Sequence, residues 1–407
     1  VFAIINKLLD RPLNEEKFAD LVLDMLRRTW PAHTFTLEKE KFQITQSGGM
    51  MINLHNIYLD YRSAEPALRK EQLDRFVGGI VVVDDQEFSY EDVQERLLPV
   101  LRSLSGADLM RIDAGDEKAL SEVLEFLPLS EEIGIALAID SELSIRQLGG
   151  GDLARWGKTF DEVLQVGIGN LRHLAAASFR ELDRGLFASE YGDYYDAPRM
   201  LVQELIWQLP VGANPVVMVP NRNCLFVCRA EDTGALDHMI EHARSILFEE
   251  SRPLSAEMFK LTETTWTPWI PLGESGLKLR RLQREFTASG YAEQKEALDT
   301  LHDQVDKDIF VATQTLVERP VDGQLVSYCV LTKGVHTWLP KADLVCLIEE
   351  PDAASVIVTM TDFLSIAGSF AKRLPYVLPR YEIVEFPGEE CMAILRERAT
   401  GVNAISV

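Results

Sequence analysis

A chain of 407 residues with 64 Asp and Glu against 41 Lys and Arg carries a formal net charge of −23. So negative a surface repels phosphate backbones and anionic lipid heads, which argues against nucleic acid and membrane surfaces as partners. It favours a basic protein partner or plain solubility. The hydrophobic fraction of 46% and charged fraction of 26% are ordinary for globular proteins, so the charge does not imply disorder.

No run reaches the roughly 18–20 apolar residues needed to cross a bilayer. The opening Val1-Phe2-Ala3-Ile4-Ile5-Asn6-Lys7-Leu8-Leu9-Asp10 is apolar but interrupted, with no basic leader, and makes a poor signal peptide. The first strong element is a helix over about residues 14–28. Asn14 is its N-cap, and Phe18, Leu21, Val22, Met25 and Leu26 follow helical spacing. Strand-like runs follow at 34–37, 42–45 and 50–54, the last two separated by the Ser47-Gly48-Gly49 turn. A helix near 67–76 closes at Gly78-Gly79. Residues 80–83 (Ile-Val-Val-Val) lead into Asp84-Asp85, a strand ending in acids. No Gly-rich phosphate loop accompanies it, so a nucleotide-bound magnesium site is not the preferred reading.

Between Asp84 and Glu142 sixteen acidic residues face four basic ones. Helices are predicted there near 91–103, with Leu97, Leu98, Val100, Leu101 and Leu104 on the core side and Pro99 at a start or kink, and near 117–126. A hairpin joins 133–139 to 143–147 through Asp140-Ser141-Glu142. Gly149-Gly150-Gly151 precedes a helix, but Asp152 at its start repels a phosphate, so the loop reads as a connector. Thr159 with Glu162 forms a capping box for a helix over 160–176. Gly167-Ile168-Gly169 lies inside that helix and lacks the third glycine of a dinucleotide fingerprint. Another helix is predicted over 197–209, a second hairpin over 215–219 and 224–229, and a helix over 234–248. Residues 264–276, with two tryptophans and several turn-formers, read as an ordered crossover or a domain boundary. A long helix over 277–304 is expected to break at Gly290. Strands at 309–318 and 324–332 flank an Asp322-Gly323 turn; strands at 344–348, 356–360 and 381–386 and a helix at 362–372 complete the chain.

The predicted class is α+β, two or three layered units of antiparallel sheet covered by helices, divided as 1–104, 105–265 and 266–407. Cys224 and Cys228, four apart along one strand, are too distant for a disulfide and point to one face. Cys329, Cys346 and Cys391 are isolated. Free buried thiols suggest a reducing, cytoplasmic setting.

Four stretches in order carry a resemblance: Ile52-Asn53-Leu54-His55-Asn56-Ile57-Tyr58, Leu97-Leu98-Pro99-Val100-Leu101-Arg102-Ser103, Asp152-Leu153-Ala154-Arg155-Trp156-Gly157 leading to Asn170-Leu171-Arg172, and Val217-Met218-Val219-Pro220-Asn221-Arg222-Asn223. Together they resemble the YtpQ-like bacterial family of uncharacterised proteins over about residues 15–265, and the remainder resembles the extra C-terminal domain of its longer members. The resemblance implies a bacterial cytoplasmic protein and brings no catalytic residues.

Three candidate sites stand out. Glu190, Tyr191, Asp193, Tyr194, Tyr195 and Asp196 concentrate aromatic contact area and negative charge in one loop, the chemistry of a surface that recognises a cationic partner; tyrosines packed on the fold and a capping Asp196 are the plainer account. His238, Glu241 and His242 match the H-x-x-E-H pattern of inverted zinc peptidases, with a polar helix face as the plainer account. Lys278, Arg280, Arg281 and Arg284 form one local basic cluster on a helix, which reads more simply as a solvated, ion-paired face. The leading expectation is a non-enzymatic adaptor that binds a basic protein partner, with no cofactor. The alternatives are a zinc-dependent hydrolase and a small-molecule binding protein with a pocket between domains. Oligomeric state is not legible.

Overall fold

The computed structural model describes residues 12–39, 42–46, 51–79, 88–113, 115, 125–141, 145–174, 178–350 and 354–399. The predicted strand at 80–83, the Ser47-Gly48-Gly49 turn and nearly all of the predicted helix at 117–126 lie outside them. The fold is mixed α+β, with several mainly antiparallel sheets interspersed with helices.

Helix α1 (Glu15–Thr29) starts where Asn14 Oδ1 accepts from the Lys17 amide at 3.1 Å. Its apolar stripe, Phe18, Val22 and Leu26, packs on the meander β1 (Phe35–Glu38), β2 (Gln43–Gln46) and β3 (Met51–Asn53) and on α2 (His55–Ser63) and α3 (Arg69–Gly79).

Leu97–Ser103, predicted as helix, is strand β4. Seven residues pair with β6 (Ile133–Asp140), from Leu97 opposite Ile139 to Ser103 opposite Ile133. Burial on both faces explains the misreading: Leu97 and Leu101 enter one core while Leu98 and Val100 enter another, so every position is apolar and no period of two shows. Pro99, at a helix interior a breaker, is accommodated in this edge strand. A helix, α4 (Leu104–Asp113), follows at once. On the other side of β6 lie β5 (Leu127–Pro128) and β7 (Ile145–Gln147), the latter completing the predicted hairpin. After α5 (Gly150–Trp156), α6 (Phe160–Leu174) crosses β4 closely: a Cβ on Gly167 would lie 3.3 Å from Pro99 Cδ, so that glycine serves packing.

The central sheet has six strands in the order β13-β12-β10-β11-β9-β8: β8 (Phe179–Asp183), β9 (Leu186–Ser189), β10 (Pro215–Met218), β11 (Phe226–Arg229), β12 (Met258–Thr262) and β13 (Thr265–Pro268). Val217, Val227, Phe259 and Leu261 face β4 and β6. Val216, Met218, Cys224 and Cys228 face α7 (Thr233–Glu249) on the opposite side, the single face expected of the two cysteines. All five cysteines are free. The crossover reading of 264–276 gives way to strand β13, because Trp266 is buried and donates its indole N–H to the Met200 carbonyl at 2.8 Å. The expected helix over 197–209 shortens to a 3₁₀ segment, Ala197–Leu201, and one turn, Gln203–Ile206.

Helix α8 (Glu274–Gln304) runs 31 residues, about 46 Å, without a break at Gly290. It packs on α7 near its start and on Val311 and Trp338 near its end. Two further sheets follow. One is β14 (Phe310–Val311), β17 (Thr337–Pro340), β21 (Arg380–Ile383) and β20 (Lys372–Arg373); the other is β15 (Thr315–Glu318), β16 (Leu325–Thr332), β18 (Leu344–Ile348) and β19 (Val356–Thr359). Each contains one parallel pair, β14 with β17 and β16 with β18, in an otherwise antiparallel arrangement. Helices α9 (Met360–Ala367) and α10 (Glu389–Glu397) cover them. Among the described residues no helix is long and apolar enough to cross a membrane.

Candidate functional site

The tyrosine-rich loop folds around one cation. Arg199, fully buried, donates to both oxygens of Asp193 at 2.7 and 2.6 Å, and its guanidinium lies 3.6 Å from the centre of the Tyr191 ring. Burial pushes the Asp193 carboxyl up, but Arg199 and the Tyr195 amide outweigh it and hold it below its ordinary value. Buried Asp196 accepts from the Tyr191 amide at 3.1 Å, and Tyr195 donates its hydroxyl to Asp140 at 2.9 Å. Burial and the Asp140 charge raise the Tyr195 phenol, which stays neutral. Exposed Glu190 pairs with Arg180 at 2.5 Å. Tyr194 differs from the rest. Its φ of 68° lies in the left-handed region, costly for a bulky side chain, and its ring forms part of a cavity wall between Arg75 and Arg222.

The H-x-x-E-H residues lie on the outer face of α7. His238 Nδ1 and His242 Nε2 approach the same oxygen of Asp183 at 3.4 and 3.5 Å, each side chain about half exposed, and Glu241 is exposed. Among the described residues no group of three or more His, Cys, Asp or Glu is arranged to hold a metal ion, which leaves the zinc reading without support. At the Gly149–Gly151 loop Asp152 accepts the Gly149 amide at 3.1 Å and pairs with Arg146 and Arg155, so a carboxylate occupies the cap where a phosphate would sit. In the basic cluster, Lys278 pairs with Asp237, Arg281 with Glu285 and Glu318, and Arg284 with Asp343. Arg280 is exposed at the edge of a large cavity.

That cavity, about 1570 Å³, is the feature that composition did not announce. Three arginines from separate elements reach it: Arg102 near the end of β4, Arg222 from the β10–β11 loop, and Arg252 from the link between α7 and β12. The two loops are tied together. Asn221 bridges to Pro253, the Leu254 amide donates to the Pro220 carbonyl at 2.8 Å, and Asn221 Nδ2 donates to Glu250 at 2.7 Å. This tie sets Arg222 beside Arg252, whose own φ of 55° is again left-handed. Arg252 has a carboxylate partner, Asp60 of α2, at 2.6 Å.

Arg102 and Arg222 have none. Arg102 donates only to the neutral acceptors Gln147 Oε1 at 2.9 Å and the Leu101 carbonyl at 3.3 Å. Arg222 Nε is buried without a hydrogen-bond partner; the guanidinium lies 5.7 Å from the Tyr194 ring and feels Asp60, the carboxylate paired with Arg252, without pairing with it. Burial, then Arg252 and Arg102, pushes the Arg222 guanidinium down to about 9; burial and Arg252 lower Arg102 also. Partly buried cations that repel one another are expensive unless a counter-charge arrives. Among the described residues no carboxylate hydrogen-bonds to or pairs with either of these two. Arg222 and Arg252 also line a second, adjoining cavity of about 560 Å³ together with Tyr194 and Asp60.

Comparison of the chain with family models, with curated proteins and with solved structures gives no match. The YtpQ-like resemblance therefore gains no relative from which residue roles could be carried over.

Proposed function

We propose that the chain is a binding protein for a small oxyanion ligand, one bearing a phosphate, sulfate or carboxylate group, held in the large cavity by Arg102, Arg222 and Arg252. One observation carries the reading: two partly buried guanidiniums have no carboxylate partner among the described residues, at the wall of a cavity large enough for a small molecule. An oxyanion would satisfy Arg222 by a forked pair of hydrogen bonds and relieve its repulsion with Arg102 and Arg252. The overall charge of −23 does not oppose this. Charges more than about 8–10 Å away are screened at physiological salt, so a small anion in the cavity responds to the arginines it touches. A long polyanion would meet the whole negative surface, which keeps nucleic acid outside the proposal. The reading takes the third of the expected functions over the basic-partner adaptor, because the tyrosine-rich loop directs Asp193 and Asp196 inward to Arg199 and its own backbone.

Isothermal titration of the purified protein with sulfate and with pyrophosphate tests it. Saturable binding is expected, weakened about ten- to a hundredfold in R222Q, since a charge-assisted hydrogen bond is worth about 1.5–3 kcal/mol. Absence of binding to wild type, or equal binding by R222Q and wild type, overturns the reading.

A further inference from the structure

A second chemical feature borders the same cavity through Glu132. Two Ser-x-Glu segments, Ser130-Glu131-Glu132 before β6 and Ser255-Ala256-Glu257 before β12, clasp each other reciprocally. Ser130 Oγ accepts from the Glu132 amide at 3.1 Å and donates to the Glu257 carboxyl. Ser255 Oγ accepts from the Glu257 amide at 2.9 Å and donates to the Glu132 carboxyl at 2.5 Å. The arrangement brings two glutamates together with hydroxyls as their side-chain partners and, among the described residues, no cation paired to either. Glu132 faces the cavity that Arg102, Arg222 and Arg252 line.

We propose that the cavity takes up its oxyanion together with a proton, which Glu132 and Glu257 hold between them. This rests on the oxyanion reading above. With both carboxyls ionised, Glu132 would place a negative charge in the wall beside the ligand. With one proton on the pair its charge falls by one, and when that proton sits on Glu132 the cavity wall offers a hydrogen-bond donor in place of a negative charge. Anion and proton then favour each other's binding by the same factor. Burial, then the charge of Glu132, pushes Glu257 up to about 7, and burial raises Glu132, so the exchange falls in the neutral range. The proton comes from solvent and no bond other than O–H forms.

The other charged groups around the pair do not supply the same titration. Glu131 is exposed on the same segment. From α8, Arg280 is exposed and Arg284 is paired with Asp343, whose carboxyl is held low against its burial by Arg284 and Ser327. Lys341 and Arg373 also line the cavity, as does Arg111, which is paired with Asp108, and among the described residues no histidine lines it. Among the described residues two groups compete: Glu293 of α8, raised by burial and by Glu296, and Arg222, lowered to about 9, whose contribution grows towards pH 8 and is read separately in R222Q.

Sulfate is the probe, because its own charge is fixed across the neutral range. Titration at pH 7 in two buffers of different ionisation enthalpy reads proton uptake directly, and needs no variant. The expected result is net uptake of a fraction of a proton, and an affinity several-fold weaker at pH 8 than at pH 6. E257Q is expected to flatten that dependence, and E293Q to keep it. Sulfate binding that is flat within twofold and takes up no proton overturns the inference while leaving the oxyanion reading intact. A dependence that survives in folded E257Q and vanishes in E293Q overturns it too. If sulfate binds at no pH, the oxyanion reading itself fails.

Discussion

Replacing Arg222 by Met should make the ligand-free protein more stable. The guanidinium falls from the ordinary 12.5 to about 9, which corresponds to roughly 5 kcal/mol of lost preference for the charged form. The sign is fixed by linkage. A base whose folded affinity for its proton is depressed carries its full penalty below the folded value, and loses it only as pH rises from about 9 towards the unfolded value. At pH 7.5 the whole penalty is present. Water in the open cavity reduces it, and Met gives up the contact with the Tyr194 ring, worth about 0.5–1 kcal/mol. Met is flexible and of similar length, so it fills the same groove with little strain. A net gain of about 1–3 kcal/mol remains. Urea unfolding in a buffer free of sulfate, phosphate and carboxylates reads it as a raised midpoint at unchanged slope. In saturating sulfate the gap should close by about 1.5–3 kcal/mol, because wild type gains more from the ligand than the variant does. A variant less stable than wild type by 1 kcal/mol or more in anion-free buffer would refute the reasoning, since it would make Arg222 a structural contact.

Glu257 predicts a pH dependence of opposite sense to an ordinary paired carboxylate. Raised from 4.5 to about 7, it costs nothing below pH 4.5, and stability declines as pH rises between those values, by about 3 kcal/mol in all; the stability difference between wild type and E257Q, measured by urea unfolding at pH 5 and 7.5, should change by that order. R199A leaves Asp193 partly buried and unpaired and should cost about 3–5 kcal/mol, read as a lowered thermal midpoint with loss of Tyr191 near-ultraviolet dichroism. G276A should destabilise by about 1–3 kcal/mol, because an added Cβ would sit 2.1 Å from the Pro271 carbonyl oxygen at the start of α8; a midpoint equal to wild type would mean that this turn relaxes freely.

Helices with one polar face were legible. Those at α1, α6, α7 and α8 carry the 3.6 period because solvent lies on one side, and their caps, Asn14 and the Thr159–Glu162 box, fall where predicted. Hairpins with strong turns were legible too, as at Asp322-Gly323. Strand β4 was not, because a segment buried on both faces has no period to read, and β8, β9 and β17 were hidden among short irregular runs. The arginine cluster was invisible for a different reason. Charge counting registers the 41 cations as a total and cannot show that three of them, from positions 102, 222 and 252, meet at one cavity, where among the described residues only Arg252 has a carboxylate partner. Arg102 and Arg222 even lie within two of the stretches that carry the family resemblance. Their meeting depends on the Asn221–Pro253 bridge and on the β4–β6 register, both long-range. Conversely, the tyrosine-rich loop looked like a surface because its acids were counted without Arg199, the buried cation that gathers them.

The most direct test of the account is a crystal of the wild-type protein soaked in selenate, an isostere of sulfate, with anomalous differences recorded at the selenium edge. The account predicts a peak inside the large cavity, within hydrogen-bonding distance of the Arg222 guanidinium and bordered by Arg102 and Arg252. An empty cavity, with selenate only at exposed lysines or at lattice contacts, would contradict it.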